Sequence, residues 1–484
     1  MFGVFMPNSH FIGRKAELDR LLSLYKKGSP GLAVIKGRRR IGKSRLIGEF
    51  ARLASKQTFW SFAGLAPEDG VSAQAQRDHF GRQIALTLKI PPVTFGDWSD
   101  ALEHLSLHLK DGDIVLFDEI SWMGSNDPSF IPKLKAWWDK QTIHLVLVLC
   151  GSVSTWIEEN ILNSTAFFGR VHLTISLEAF SIPESAEFLK KLGMKISHYD
   201  TYKVLSTVGG VPWYLEQFIS SLTVDENIKR LAFEKNGLLV AEFDRIFHDL
   251  FHGKGTAYKK ILDCLKDGSK TLSEVRQSIE FAHSGTLSRM MDQLIVAGFV
   301  AKNSLWSFKT IKPLKQSLYR ISDPYLRFYF KLIEPNLVTI MDNGFDQVPI
   351  STIPGFDSHM GFQLEVLLQQ NWQLLIQKLG ISPVDVVRQG PYRQPKNTSM
   401  EGCQIDYLVQ TKTNSLYICE FKFKRREIGS EIVTELQEKM SRLKTTKGFA
   451  KVAVLFHLGG ISNSLATSSF FYRIVDISDF LDDH

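Results

Sequence analysis

The sequence predicts an α/β chain built on a parallel sheet, and three stretches predict it. Leu32-Ala-Val-Ile-Lys-Gly37 is an apolar run that opens into a glycine-bounded loop and then a helix. Asp113-Ile-Val-Leu-Phe-Asp118-Glu119 and Ile143-His-Leu-Val-Leu-Val-Leu-Cys-Gly-Ser152 are apolar runs with polar groups at their carboxyl ends. Such runs suit strands covered on both faces, and sheets of that kind gather ligands at their carboxyl ends.

The bulk properties bound the rest. A chain of 484 residues has room for roughly three domains. Hydrophobic content of 44% and charged content of 23% are ordinary for a globular protein in water. No apolar run approaches the ~18 residues of a membrane span. Met1 to Met6 is apolar, but no basic segment precedes it and Pro7 follows, so a secretory signal is not expected. Cys150, Cys264, Cys403 and Cys419 lack metal-ligand spacing, as expected of reduced, packed thiols in a cytoplasmic protein. A net charge of +7 permits nucleic-acid contact without demonstrating it.

The first stretch carries the strongest chemical signal. Gly37-Arg38-Arg39-Arg40-Ile41-Gly42-Lys43-Ser44 fits G-x-x-x-x-G-K-[ST], the phosphate loop of nucleotide-hydrolysing proteins, with Arg45 just beyond it. Glycines let the backbone N–H groups turn inward toward phosphate oxygens, and the following helix adds its positive end. Lys43 is expected on the β- and γ-phosphates of ATP and Ser44 on Mg²⁺. Asp118 is expected to hold the same Mg²⁺, and Glu119 to polarise the attacking water. Ser152, at the end of the third run, either touches the γ-phosphate or the attacking water, or caps the next helix. Arg14, just before an amphipathic stretch, reads as a surface charge.

From Glu178 to about Glu234 the pattern is helical. Ser181-Ile-Pro-Glu184 predicts a capped start with proline in the first turn. Gly209-Gly-Val-Pro212 interrupts the helices. Residues 255–310 read as three helices and a hairpin. Thr271-Leu-Ser-Glu274 suits a capping box, and His283-Ser-Gly-Thr286 leads into the next helix. There Leu287, Met290, Met291, Leu294 and Ile295 share one face. Short strands are expected at Phe299-Val-Ala-Lys302 and Leu305-Trp-Ser-Phe308, giving a winged helix. Lys270, Arg276, Arg289 and Lys302 are available to phosphates, although winged helices also serve as protein contacts. Asp323-Pro324 predicts a helix start in an aromatic segment whose role is packing.

Together, Phe11-Ile-Gly-Arg14, Gly37 to Ser44, Leu116-Phe-Asp-Glu119, Cys150-Gly-Ser152, Phe168-Gly-Arg170 and Gly209-Gly-Val-Pro212 resemble the prokaryotic ATPases of the AAA+/STAND group, best known from archaea. The resemblance covers about residues 10–335, and the triple arginine inside the loop is part of it. It implies that Arg170 acts as an arginine finger or sensor, the plain alternative being a surface arginine. It also implies that the turn at Pro212 closes a helical lid over the nucleotide base, the plain alternative being an interhelical turn.

The last part of the chain carries a second centre. The turn-rich segment 342–355 marks its start, and one helix is expected from Gly361 to about Leu379. Ile405-Asp-Tyr-Leu-Val409 and Leu416 to Lys424 form a hairpin, and Glu420 and Lys422, two apart, share one face of it. A polar helix over Glu431–Leu443 and a core strand over Val452–His457 follow. Asp406, Glu420 and Lys422 resemble the motif of the PD-(D/E)xK nuclease superfamily, and Glu365 matches an extra acid many members carry. Gln404 and Ile405 precede Asp406 where the superfamily has proline. The resemblance implies that Asp406 and Glu420 bind Mg²⁺ while Lys422 positions water or neutralises phosphate.

The expectation is therefore a P-loop parallel-sheet ATPase core (1–177), a helical lid (178–250), a winged helix with an aromatic connector (251–335) and a restriction-endonuclease-like α/β domain (336–484). The cofactors are ATP and Mg²⁺. DNA is the expected partner, a protein partner through the winged helix is the alternative, no membrane is involved, and the oligomeric state is left open. The function is an ATP-driven switch or motor coupled to a DNA-directed, Mg²⁺-dependent nuclease-like domain. The alternatives are a regulatory ATPase whose last domain binds without cutting, and a chaperone-like or toxin–antitoxin ATPase with no DNA role.

Overall fold

A computed structural model describes residues 11–482 except 55–56, 67–70, 125–126, 153–154, 252–254, 282–283, 305–307, 309–315, 395, 397 and 399–400. The chain divides into two compact units, Met1–Ala179 and Phe180–His484. No helix among the described residues is long and apolar enough to cross a membrane.

The first unit is a five-stranded sheet between helices. Its strands are β1 (Gly31–Gly37), β2 (Phe59–Ala63), β3 (Asp113–Asp118), β4 (Leu145–Ser152) and β5 (Leu173–Leu177), in the order β2-β3-β4-β1-β5. Every pairing is parallel. All carboxyl ends therefore share one edge, where Gly37 pairs with both Ser152 and Leu177. Leu32, Val34, Val115, Phe117, Leu147 and Leu149 face the helices Ala73–Leu88, Trp98–Ser106 and Phe130–Trp138. The helices Lys15–Tyr25 and Lys43–Ala54 pack against β1, burying Leu21, Leu24, Leu46 and Phe50. Phe50 is wholly enclosed, so truncation to alanine is expected to cost about 3–5 kcal/mol.

The second unit begins with the helices Ile182–Lys191, His198–Val208, Pro212–Leu215, Val224–Ala232 and Leu238–Phe251. The expected start at Ser181 is a full capping box with Glu184. The next module runs helix Gly255–Leu265, β6 (Lys270–Thr271), helix Leu272–Ser278, helix Ser284–Val296, β7 (Val300–Ser304) and β8 (Ser317–Ile321). Thr271 and Glu274 form the expected capping box. Leu287, Met290, Met291 and Leu294 are buried, with Ile295 at the margin. His283 and residues 305–307 lie outside the described residues, and Phe308 sits in a turn rather than a strand. The partner of β7 is instead β8, antiparallel, in a sheet of order β6-β8-β7.

Asp323 caps the helix Pro324–Phe328 by accepting the Leu326 N–H at 2.7 Å. Tyr325, Phe328, Tyr329 and Phe330 are buried, as a packing role requires. The single helix expected over 361–379 is two helices, Phe356–Gln370 and Trp372–Leu379. The break is at Asn371, whose side chain accepts the Ile182 N–H and donates to the Leu367 carbonyl, an alternative that competes with helical bonding. Within the first of these helices, Gln363 donates to the Ser206 and Pro324 carbonyls and ties three segments together.

The chain ends in a mixed sheet of β9 (Val386–Gln394), β10 (Cys403–Thr411), β11 (Ser415–Phe423), β12 (Ala450–Leu458) and β13 (Arg473–Asp476), ordered β13-β12-β11-β10-β9. β9, β10 and β11 are antiparallel neighbours, whereas β11, β12 and β13 run parallel. The helix Glu431–Arg442 covers one face through Ile432 and Leu436. The segments expected as lid, winged helix and C-terminal domain thus pack as one compact unit from residue 180 onward.

Candidate active sites

The loop between β1 and the helix Lys43–Ala54 is a cradle. Arg40 and Gly42 take positive φ values of 70° and 93°, which turns the chain back on itself. Lys43 is buried, and its Nζ donates to the Gly37 carbonyl at 2.9 Å and the Arg38 carbonyl at 3.2 Å. A side-chain ammonium thus ties the loop's two backbone carbonyls together from within. Arg39 and Arg45 are solvent-exposed, whereas Ile41 is buried and anchors the loop.

β4 lies between β1 and β3, so the three carboxyl ends present the loop, Ser152 and the acid pair side by side. The Ser44 hydroxyl donates to Asp118 Oδ2 at 2.9 Å. Glu119 adopts φ 48°, an uncommon conformation for a side-chain-bearing residue. Its carboxylate accepts the Ser152 N–H at 3.2 Å and the Ser152 hydroxyl at 3.3 Å. Burial raises the Glu119 pKa and Asp118 adds to the rise, against Lys43 and the Ser152 bonds. Gly64, beyond β2, leaves room for this turn, since a Cβ there would stand 2.9 Å from the Glu119 carbonyl. The residues present fit the expected group. Ser44 and Asp118 would hold Mg²⁺, which neutralises phosphate charge when bound, while Glu119 has a half-buried carboxylate suited to polarising water.

Three sequence readings change here. Ser152 takes a role neither reading gave it: its N–H and hydroxyl donate to the Glu119 carboxylate. Arg14 is not a surface charge. It is buried, and its guanidinium donates to the Ile41 carbonyl at 3.5 Å and to the Glu178 carbonyl, tying the loop to the end of β5. The glycine before it was the available signal, because Arg14 itself sits at φ 57° in a tight turn. Arg170 precedes β5 at the amino edge of the sheet, roughly seven residues or about 23 Å from the loop edge. Asp139 engages it at 2.6 and 3.2 Å. It is therefore no sensor for the phosphate in its own chain. Pro212 is buried as the first residue of a short helix in the second unit.

The comparisons agree with this geometry. The model of an ATPase domain found predominantly in Archaea matches residues 11–218. Residues 11–218 are an archaeal-type ATPase domain. The Methanocaldococcus jannaschii protein MJECL04 is 26% identical over 369 residues, covering 74% of this chain and 76% of that protein. The Walker-type ATPase PABY2304 of Pyrococcus abyssi superposes with a TM-score of 0.50 at 16% identity, over 68% of this chain and 99% of that one. That likeness shows a shared P-loop ATPase fold. The ATPase domain thus accounts for the loop, the acid pair and Ser152.

The second centre lies outside the ATPase domain. Glu365 from the helix Phe356–Gln370, Asp406 from β10 and Glu420 from β11 act on one another electrostatically. A register shift in the β9–β10 pairing between Ile405 and Leu408 frees Asp406 from regular alternation. Asp406 Oδ2 accepts the Phe421 N–H at 2.9 Å. Burial and then Glu420 push Asp406 up to about 6, and burial and then Asp406 push Glu365 up to about 7. Glu420 is only 3% exposed and is paired with Lys439 at 2.6 Å and Lys422 at 3.1 Å. Burial draws the Lys422 ammonium down, but Glu420 and Glu435 outweigh it and hold its pKa above the ordinary value. Lys439, on the polar helix, was missed because its distance in sequence hides its proximity. Among the described residues, no group of three or more His, Cys, Asp or Glu side chains is arranged to hold a metal. Two carboxylates suit Mg²⁺ with phosphate and water, but here Lys439 occupies Glu420.

Proposed function

We propose that this chain is an ATP-hydrolysing switch that governs a nucleic-acid-directed, Mg²⁺-dependent nuclease-like centre. One observation carries the second half of that reading: Glu365, Asp406, Glu420 and Lys422 come from three separate elements and interact in one place. The strand pattern of β9 to β12, with a helix before and a helix between, supports a PD-(D/E)xK-like domain over 336–484. The helix–strand–helix–helix–hairpin order over 251–335 supports a winged helix that meets DNA or a protein. Pro212 belongs to the lid. Arg170, remote from its own loop, would serve as a finger only on a second copy of the chain.

In the ATPase domain, Lys43 and the loop N–H groups bind the triphosphate, Ser44 and Asp118 orient the metal, and Glu119 positions water for attack on the γ-phosphorus. In the second centre, Lys422 orients water beside the Asp406–Glu420 pair. The test is digestion of plasmid DNA by the full chain with Mg²⁺, with and without ATP. Wild type is expected to cut, and Lys422→Ala is expected to be inert. Absence of cutting by wild type under both conditions would leave the second reading.

That second reading is a regulatory ATPase whose last domain binds nucleic acid without cleaving it. The lysine pair on Glu420 favours it, because the carboxylate is already neutralised.

A further inference from the structure

In the second unit, between the β6-β8-β7 module and the C-terminal sheet, lies a cavity of about 550 Å³. Its volume is in the range of small-ligand pockets and far below what a duplex would need. Lysines and arginines outnumber carboxylates on its wall by six to three. Arg320 from β8 and Arg327 from the helix Pro324–Phe328 line it, opposite Glu365 and Asp406.

Arg320 is the telling residue. Its Nε and Nη1 are shut off from solvent and have no hydrogen-bond partner among the described residues. Burial and then Arg327 push its pKa down to about 10 against the pull of the Glu365 carboxylate, so it stays charged at neutral pH. A buried guanidinium with unmet donors costs stability, and a second cation beside it adds to the cost. An anion with several acceptor oxygens would satisfy both, and a phosphate matches the guanidinium fork. Two rings share the wall: Phe362, 57% exposed, and Tyr392. Rings beside a cationic pocket are how single strands are held without sequence preference.

We propose that this cavity binds one nucleotide unit of a single nucleic-acid strand, its phosphate on Arg320 and Arg327 and its base against Phe362 or Tyr392. The substrate class of the second centre is then a single strand or an unpaired end. As an account of a substrate, the proposal rests on the nuclease-like reading of Asp406 and Glu420; as an account of binding, it stands without it.

The experiment uses the full chain in EDTA with a fluorescent single strand of about fifteen nucleotides and the matching blunt duplex, read by anisotropy. Wild type is expected to hold the strand about tenfold or more tighter than the duplex. Arg320→Gln is expected to weaken strand binding about tenfold, the scale of a lost charge-assisted bond. It should also lower the salt slope by roughly 0.7. Arg320→Lys should restore part of the loss. Because the Nε and Nη1 donors lost are unmet while Glu365 still has Arg327 beside it, Arg320→Gln should melt close to the wild-type temperature, which separates lost binding from lost folding. Unchanged strand affinity in Arg320→Gln, or a duplex bound as tightly as the strand, overturns the proposal. Digestion of the strand by wild type in Mg²⁺ examines the other reading: strand binding kept with no cutting sinks the nuclease and spares the cavity.

Discussion

The two acidic centres solve opposite electrostatic problems. In the ATPase domain the acids Asp118 and Glu119 are held by neutral hydroxyls, those of Ser44 and Ser152, while Lys43 rests on backbone carbonyls. In the second centre Glu420 is locked to two lysines, and Glu365 and Asp406 are pushed toward the neutral form. If that centre takes Mg²⁺ as proposed, it must first exchange partners or lose protons. The acids of the first lean on neutral hydroxyls, and those of the second on lysines and on one another.

The largest test of this contrast is Lys43→Ala, which should reduce ATP turnover by at least about a hundredfold and abolish binding in a calorimetric titration. Normal nucleotide affinity would refute the loop assignment. Next is Glu119→Gln, which should leave ATP binding intact while turnover falls by roughly two orders of magnitude. If turnover persists, water is positioned by another group.

The restraint in the second centre predicts a pH effect. The folded-state pKa values of Glu365 and Asp406 lie above their ordinary 4.5 and 3.8, at about 7 and about 6. The folded form therefore binds more protons than the unfolded one between about pH 4 and 7, and its stability falls as pH rises through that window. Melting of the metal-free chain should thus be lower at pH 7.5 than at 5.5, and Mg²⁺ should recover the difference only at the higher pH. A melting temperature flat across this range would show that the carboxylates are not buried together. The smallest effect belongs to Ser152→Ala. Its hydroxyl lowers the Glu119 pKa alongside the Ser152 N–H, which alanine retains, so losing the hydroxyl alone should move the acid limb of the ATPase pH profile upward and slow turnover severalfold. An unmoved profile would mean that Ser152 does not tune Glu119.

What was legible follows the layers of the sheets. The strands anticipated in the two larger sheets, β1, β3, β4, β10, β11 and β12, are the inner ones. Those missed, β2, β5, β9 and β13, are the four edges. An inner strand is covered on both faces and reads as a continuous apolar run, whereas an edge strand is short or mixed, as in Val386–Gln394 with its glycine and proline. β8 escaped for another reason: it is central in its small sheet, but the charged Arg320 interrupts its apolar run.

By itself the sequence determined the phosphate loop, the acid pair and the caps at Ser181 and Thr271, because each depends on backbone geometry within a few residues. Only tertiary structure decided that Arg14 braces the loop, that Ser152 holds Glu119 and that Arg170 stands at the wrong edge. It also decided that Arg320 and Arg327 face Glu365 and Asp406 across one cavity. Those relations join residues tens to hundreds of positions apart. Strand order and helix packing set such distances, and no local pattern in the chain encodes them.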